Sequence, residues 1–528
     1  MSQNDRSQMS ARAGLKSGPT RIRLGVWAFA LLLGIVMTLA ATRATSILRH
    51  DKTSALRSAA DDEVVIQDVT LISPERQVPL PHATVLIRDG RIAQIATSLL
   101  AEPHARRIDG RGRFLIPGLI DSHVHPGHSA ALDDDAVNAH PELWAAYRAQ
   151  VPRAYLSFGF TTIVDLDLTA SDKTWFEGTA LHPRFYSCGP GIKVPGGYMA
   201  FEVPPLSSPN FPNLIYDPSE GEHWPKTLDP RDYTAERAVS RAADAGAVCV
   251  KAFVESGFGI FNWPYLQTET LKKIQAAATA RGLILMVHAN SVDSWRSALD
   301  AHADVIAHGL WVWPGDPGTS VPPESAANVI AAAAHAGIRV QPTMQTVAGE
   351  RAMLDPSLLD DSRLAYSLPA SVIAYLRSPE GHKADAALLD GYRKASPPPG
   401  FDKLLPAVIE RTRATFKLML KDGVPLIFGS DTPGVDGFGN PPGLNGRFEM
   451  QDWADAGAPL TLILRATTLD NARAVGLSRE LGSIEVGKRA DLLLLRENPL
   501  VNVSAYDSID TIILNGVLIG RDTLRPNN

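Results

Sequence analysis

The chain has 528 residues, 45% of them hydrophobic and 20% charged, enough apolar material for a large buried core and too little charge for wholesale disorder. Its 51 basic and 57 acidic side chains leave a net charge of −6, which argues against a nucleic-acid binder because such proteins present a basic face. Two cysteines, Cys188 and Cys249, exclude a disulfide framework and an all-cysteine zinc site; they can form one bridge at most, and the expectation is a pair of buried thiols.

In chain order, residues 1–23 form a basic segment carrying Arg6, Arg12, Lys16, Arg21 and Arg23. Residues 24–42, from Leu24 to Thr42, carry no charge. As a helix they would span ~28 Å, close to the hydrocarbon thickness of a bilayer, so the segment reads as a transmembrane signal anchor or a signal peptide. The basic flank predicts a cytoplasmic N-terminus, a tether over 43–62, and a body outside the cytoplasm, membrane-anchored or periplasmic after cleavage.

Residues 63–116 read as short alternating strands, with Arg88-Asp89-Gly90-Arg91 as a hairpin turn. The same texture returns over 476–528, in 490–497 and 510–522. Two such flanks can build one small β-sandwich only if the intervening domain brings its ends together. Between them, 117–475 alternates β-rich runs (118–125, 161–167, 184–188, 247–253, 283–288, 304–308, 338–343 and 424–431) with Ala-rich helical stretches. Eight β/α units predict an α/β fold, a (β/α)8 TIM barrel. Two insertions, 189–235 and 345–415, follow strands and therefore lie over the barrel's C-terminal face.

Polar residues gather at the ends of these strands: His123 and His125 on the first, Lys251 on the fourth, His288, His308 and Asp431 on the fifth, sixth and eighth. Positions i and i+2 of a strand share a face, so both early imidazoles point one way. A buried, unpaired lysine or aspartate costs several kcal/mol, and metal ions would supply the compensating charge.

The string LIPGLIDSHVHP (115–126), followed by VKAF, MVHAN, IAHG and FGSDTP, resembles the ordered metal-ligand motifs of the amidohydrolase superfamily. The tail ATTLDNARAVGLSRELGSIEVGKRADLLLLRENPL is similar to the C-terminal signature of its imidazolonepropionase-like and metal-dependent dipeptidase branch. The resemblance implies that His123 and His125 bind a first, more buried ion and that His288 and His308 bind a second. Asp431 would bind the first ion and serve as the proton-transferring catalytic residue, and Lys251 would be a carboxylated lysine bridging both. It implies two divalent ions, zinc before manganese, iron or cobalt, and hydrolysis of an amide, cyclic amide or dipeptide-like C–N bond in a small molecule by a metal-shared hydroxide. The alternatives are lactone, ester or phosphotriester cleavage at the same site, and a non-catalytic binding protein. Related barrels often pair, so a homo-oligomer is a further expectation.

Gly196-Gly197-Tyr198 stands where that branch has Gly-Gly-His, so Tyr198 reads either as a hydrogen-bond donor to substrate or as a packing aromatic. Thr343 and Arg447 are candidate substrate contacts; Arg447 and Glu449 also suit a helix cap or salt bridge. Lys193 is a second basic candidate for carboxylate recognition. His128 reads as a neighbour of the ligands or as an exposed side chain, and His302 and His335 as non-ligands. Phe201, Phe211, Tyr216 and Trp224 either line a pocket or form their own small core.

Overall fold

The structure, a computed structural model, describes residues 63–97, 105–208, 211–316, 318–433 and 437–526. The apolar span 24–42 and the tether 43–62 lie outside the described residues, and among those described no helix is long and apolar enough to cross a membrane.

The N-terminal flank supplies β1 (Glu63–Leu71), β2 (Leu80–Arg88), β3 (Arg91–Ala96), β4 (Arg106–Asp109) and β5 (Phe114–Pro117). The β2–β3 hairpin turns on Asp89 and Gly90 at φ 53° and 72°, the left-handed pair that a two-residue turn between right-twisted strands requires.

The barrel strands follow. They are β6 (Leu119–Val124), β7 (Phe160–Asp165), β8 (Arg184–Ser187), β11 (Cys249–Phe253), β12 (Ile284–His288), β13 (Val305–Ala307) and β14 (Arg339–Gln341), with the two-residue strands β9 (Ile192–Lys193) and β10 (Asn213–Leu214) in the first insertion between β8 and β11. The C-terminal flank adds β15 (Leu492–Leu495), β16 (Ile509–Leu514) and β17 (Val517–Gly520). Both flanks join one eight-stranded sheet, ordered β17-β16-β15-β5-β1-β2-β3 with β4 beside β1. The junction is antiparallel, Leu492 to Leu495 opposite Pro117 to Phe114, so the two ends of the barrel domain are held side by side.

Strands β6-β7-β8 and β11-β12-β13-β14 are parallel arcs of the barrel. The amide of Val248 donates to Ser187 (2.8 Å) across the β8–β11 seam. The eighth stave, expected as a strand over 424–431, is instead a run of isolated bridges. It closes the ring through Ile427 to Val340 (3.0 Å), Asp431 to His123 (2.7 Å) and His125 to Thr432 (2.7 Å). Pro425 has no amide to give, and Asp431 leaves the extended region at φ 55°, so a regular ladder cannot form. Asn471, from the tail motif, locks this stave to β6: its amide donates to Ile120 and Phe428 carbonyls (2.7 Å each) and its oxygen accepts from Phe428 (3.0 Å).

The helices bury one face each against the barrel. In Ala235–Asp244 the buried residues Ala235, Ala238, Val239 and Ala242 recur at helical spacing. Val292–Asp300 begins with a Ser291/Ser294 capping box that satisfies two otherwise orphaned amides.

Cys188 and Cys249, expected as thiols, are bonded to each other. Sixty-one positions separate them, but Cys188 directly follows β8 and Cys249 opens β11, neighbours in the ring, and both are fully buried. The second insertion also differs from expectation: its tail belongs to the long barrel helix Phe401–Asp422, whose Phe401, Leu405 and Ile409 pack with Trp311 and Val347.

Candidate metal centre

The C-terminal ends of the barrel strands open into a cleft of about 1570 Å³. At its floor Asp431 Oδ1 lies 3.2 Å from Nε2 of both His123 and His125. Asp431 Oδ2 lies 3.8 Å from His308 Nδ1. His123, His308 and Asp431 are close enough to hold one ion, their donor atoms all within 4.8 Å of one another. Lys251 Nζ sits 3.4 Å from His123 Nε2, and the His288 ring centre is 4.2 Å from that of His308. All six strand-end residues named from the sequence therefore meet in one place.

Backbone conformation aims several of these groups. His308, Thr343 and Asp431 adopt φ of 92°, 44° and 55°, a left-handed geometry that disfavours side chains and persists only where surroundings over-determine it. For Asp431 the anchor is Asp121, whose carboxylate accepts from the Ser430 amide (3.0 Å) and hydroxyl (2.6 Å) and from the His123 amide (3.3 Å). Burial pushes Asp121 up to about 7.

Burial lowers Lys251 to about 7, so its amine is readily neutral. Burial, then the neighbouring Lys251, takes His123 down to about 3, and burial with His288 beside it puts His308 well below its ordinary value. Burial alone would raise Asp431, but the imidazoles of His123, His125 and His308 hold it well below the usual carboxylate range. The result is an ionised carboxylate beside the neutral imidazoles of His123 and His308 and a lysine amine. The Nδ1 atoms of His123 and His125 are buried with no hydrogen-bond partner. A cluster assembled only for stability satisfies such atoms, whereas this donor set fits divalent ions.

The remaining candidates divide. Thr343 Oγ1 hydrogen-bonds His308 Nδ1 (2.9 Å) and orients that ring. Tyr198 lies over the site, its ring 5.1 Å from His288 and stacked on Trp263. His128 stacks on His125 at 5.4 Å, at an exposed position on the cleft wall. Arg447 does not reach the cleft: its guanidinium pairs with Asp507 (2.9 Å) from the C-terminal flank. Glu449 is fully buried, accepts from the Gln345 amide (2.6 Å) and Trp453 indole (2.7 Å), and is pushed up to about 8 by that burial. Lys193 pairs with Asp167 at 2.6 Å. His302 and His335 are exposed, away from the site. Of the insertion aromatics, Phe201 faces the cleft, Tyr216 and Trp224 pack on each other, and Phe211 is half-buried.

Sequence reasoning passed over Glu255. Its carboxylate is buried and accepts from His288 Nε2 (3.1 Å), Asn290 (2.5 Å) and the amides of Gly257 and Phe258 (2.6 Å each). The available signal was an acid four positions after Lys251 in an apolar run, with Asn290 already visible in MVHAN.

The amidohydrolase family profile matches residues 114–519. Local stretches are 27% identical to an L-hydantoinase of Paenarthrobacter aurescens over 115 residues, 22% of each chain. Another is 33% identical to a 5-methylthioadenosine/S-adenosylhomocysteine deaminase of Caldanaerobacter subterraneus over 128 residues, covering 20% of this chain and 28% of that one. These matches span less than a third of either relative. Over the whole fold, the chain is similar to molinate hydrolase, with TM-score 0.61, 19% identity, and 89% and 97% of the two chains covered. It is also similar to a Xaa-Pro dipeptidase with bound methionine, with TM-score 0.58, 19% identity, and 87% and 100% covered. With the profile spanning most of the sequence, from the end of the first flank to the last strand, this chain belongs to the amidohydrolase family.

Proposed function

We propose that the chain is a metal-dependent hydrolase of amide-type C–N bonds in small molecules. The observation that carries this reading is Asp431 reaching both His123 and His125 at 3.2 Å, with Lys251, His288 and His308 around it. His123, His125 and Asp431 would hold one divalent ion and His288 and His308 a second, with zinc the best match to imidazole and carboxylate donors. Such ions, when bound, supply a water of lowered pKa and a Lewis acid for the acyl oxygen.

The chain's own residues do the rest. Asp431, held ionised at the floor, accepts the proton of the attacking water and returns it to the leaving nitrogen. Lys251, neutral and buried, is suited to add its amine nitrogen to the carbon of CO2, releasing one proton to solvent, and the carbamate would supply anionic charge to the divalent ions. Thr343 and Glu255 fix the ring orientations of His308 and His288. Tyr198 would donate its hydroxyl to the oxygen that gains charge during attack. Metal analysis of the purified protein, joined to a hydrolysis screen over N-acyl amines, cyclic imides and dipeptides, tests the reading. Near two ions per chain and turnover of one C–N class is the expected outcome; a metal-free chain inert to every class overturns it.

The same body would work outside the reducing cytoplasm. The buried Cys188–Cys249 bond supports that location, because such bonds persist in oxidising compartments, and the uncharged span 24–42 would direct the export. Fractionation of cells with thiol labelling of the denatured protein tests it; a cytoplasmic chain with two free thiols would be the contrary result.

A further inference from the structure

We propose that the cleft selects C–N substrates carrying flat, apolar groups that are neutral or cationic, and turns away those bearing a free carboxylate. This rests on the amide-hydrolase reading above and names its substrate class.

Two features of the cleft wall carry the inference. The first is aromatic. Tyr198, beside His288, stacks on Trp263 with ring centres 5.8 Å apart and planes 17° apart. Trp263 in turn stacks on Phe261 (5.0 Å, 9°) and meets Phe201 edge-on at 4.9 Å. The shelf runs outward from the metal centre, and its outer rings are uncovered: Phe201 is 53% exposed and Phe261 44%. Large aromatic rings left open beside a catalytic cleft offer a stacking surface for a planar ligand.

The second feature is charge. Eight acidic residues line the cleft among the described residues: Asp431 and Asp167 near the floor, and Asp133, Asp134, Asp135, Asp293, Glu350 and Asp385 around them. Only two lysines or arginines do, Lys251 and Arg411. Lys251 belongs to the metal centre. Arg411 is committed elsewhere: its guanidinium donates to the carbonyls of Thr319 (2.8 Å), Asp316 (3.0 Å) and Trp311 (3.1 Å) and lies over the Trp313 ring. Of the cations behind the wall, Lys193 is paired with Asp167, and Arg148, which lies against Trp144 and Trp175, is 3.8 Å from Asp172. Recognition of a carboxylate calls for a positioned guanidinium or ammonium. On the cleft wall outside the metal centre a carboxylate would find neither and would sit among like charges, whereas a cationic group would be drawn to the acids and to the aromatic faces.

The test uses three benzanilides that share one scissile bond and differ in the para substituent of the aniline ring: hydrogen, trimethylammonium or carboxylate. Binding to the metal-loaded full chain is read by quenching of tryptophan fluorescence, and turnover separately by release of the aniline. The neutral and cationic anilides should bind about ten-fold or more tightly than the carboxylate. Trp263→Ala should weaken all three by about ten-fold with metal stoichiometry unchanged. Phe261→Ala, at a position 44% exposed, should do the same if Trp263→Ala fails to fold. Equal or tighter binding of the carboxylate, a cationic anilide as weak as the carboxylate, no binding of any anilide, or wild-type binding by the folded variants would each overturn the proposal. If the binding order holds but no aniline is released, the hydrolase reading fails and the selectivity stands.

Discussion

Glu255 accepts a hydrogen bond from Nε2 of His288 at 3.1 Å, and its other bonds leave it no freedom to turn away. Burial would raise this carboxyl, but His288 and the loop amides keep it below its ordinary value and ionised. An ionised partner on Nε2 holds the proton there and leaves Nδ1 as the lone-pair donor of His288. Glu255→Ala should therefore weaken metal binding by about 10- to 100-fold, read by titrating the apo protein with zinc. Unchanged affinity would mean that this carboxylate serves only the loop.

Asp431 lies within 3.8 Å of three of the four site histidines, His123, His125 and His308. Asp431→Asn keeps its size but removes the proton acceptor. We expect kcat to fall by about 10²- to 10⁴-fold on any substrate that the wild-type chain turns over. A variant that retains its ions and near-normal kcat would remove Asp431 from proton transfer.

Lys251 sets a pH dependence whose sign follows from its burial. Its ordinary value of 10.5 is lowered to about 7, so above that pH the folded amine is neutral and below it is an ammonium facing the centre. His123, already down to about 3, does not compete in that window. Metal uptake by the apo protein should fall as pH drops through about 7, and a Lys251→Met variant should bind less metal with a flatter profile. Equilibrium dialysis against zinc across this range, with and without added bicarbonate, checks both points.

The Cys188–Cys249 bond closes a segment of 61 positions. On the chain-entropy account such a closure contributes about 4 kcal/mol. The double variant Cys188→Ala/Cys249→Ala should lose about that much stability, seen as a lower urea midpoint at unchanged slope. Because both sulfurs are fully buried, mild reductant should leave the folded protein's bond intact.

The ligand set was legible in the sequence because it is local in form. Each donor ends a short apolar run, and strand geometry alone places His123 and His125 on one side. The same locality made the β/α rhythm of the barrel readable. What was not legible depends on neighbours far apart in the chain. Cys188 and Cys249 pair only because the ring sets β8 beside β11, and Glu255 matters only because its loop folds back onto His288. Arg447 reads in sequence as either a substrate contact or a salt-bridge partner, and only the C-terminal flank, which brings Asp507 to it, decides for the salt bridge. The stave 424–431 reads as a strand, yet it is held by Asp121 and Asn471 rather than by a ladder. Sequence by itself thus determined which chemical groups stand at the barrel mouth, since side-chain alternation and strand-ending residues are short-range properties. Tertiary structure alone decided which of those groups face one another and what charge and aromatic surface surround them, because burial and pairing are set by segments that meet only in the closed ring.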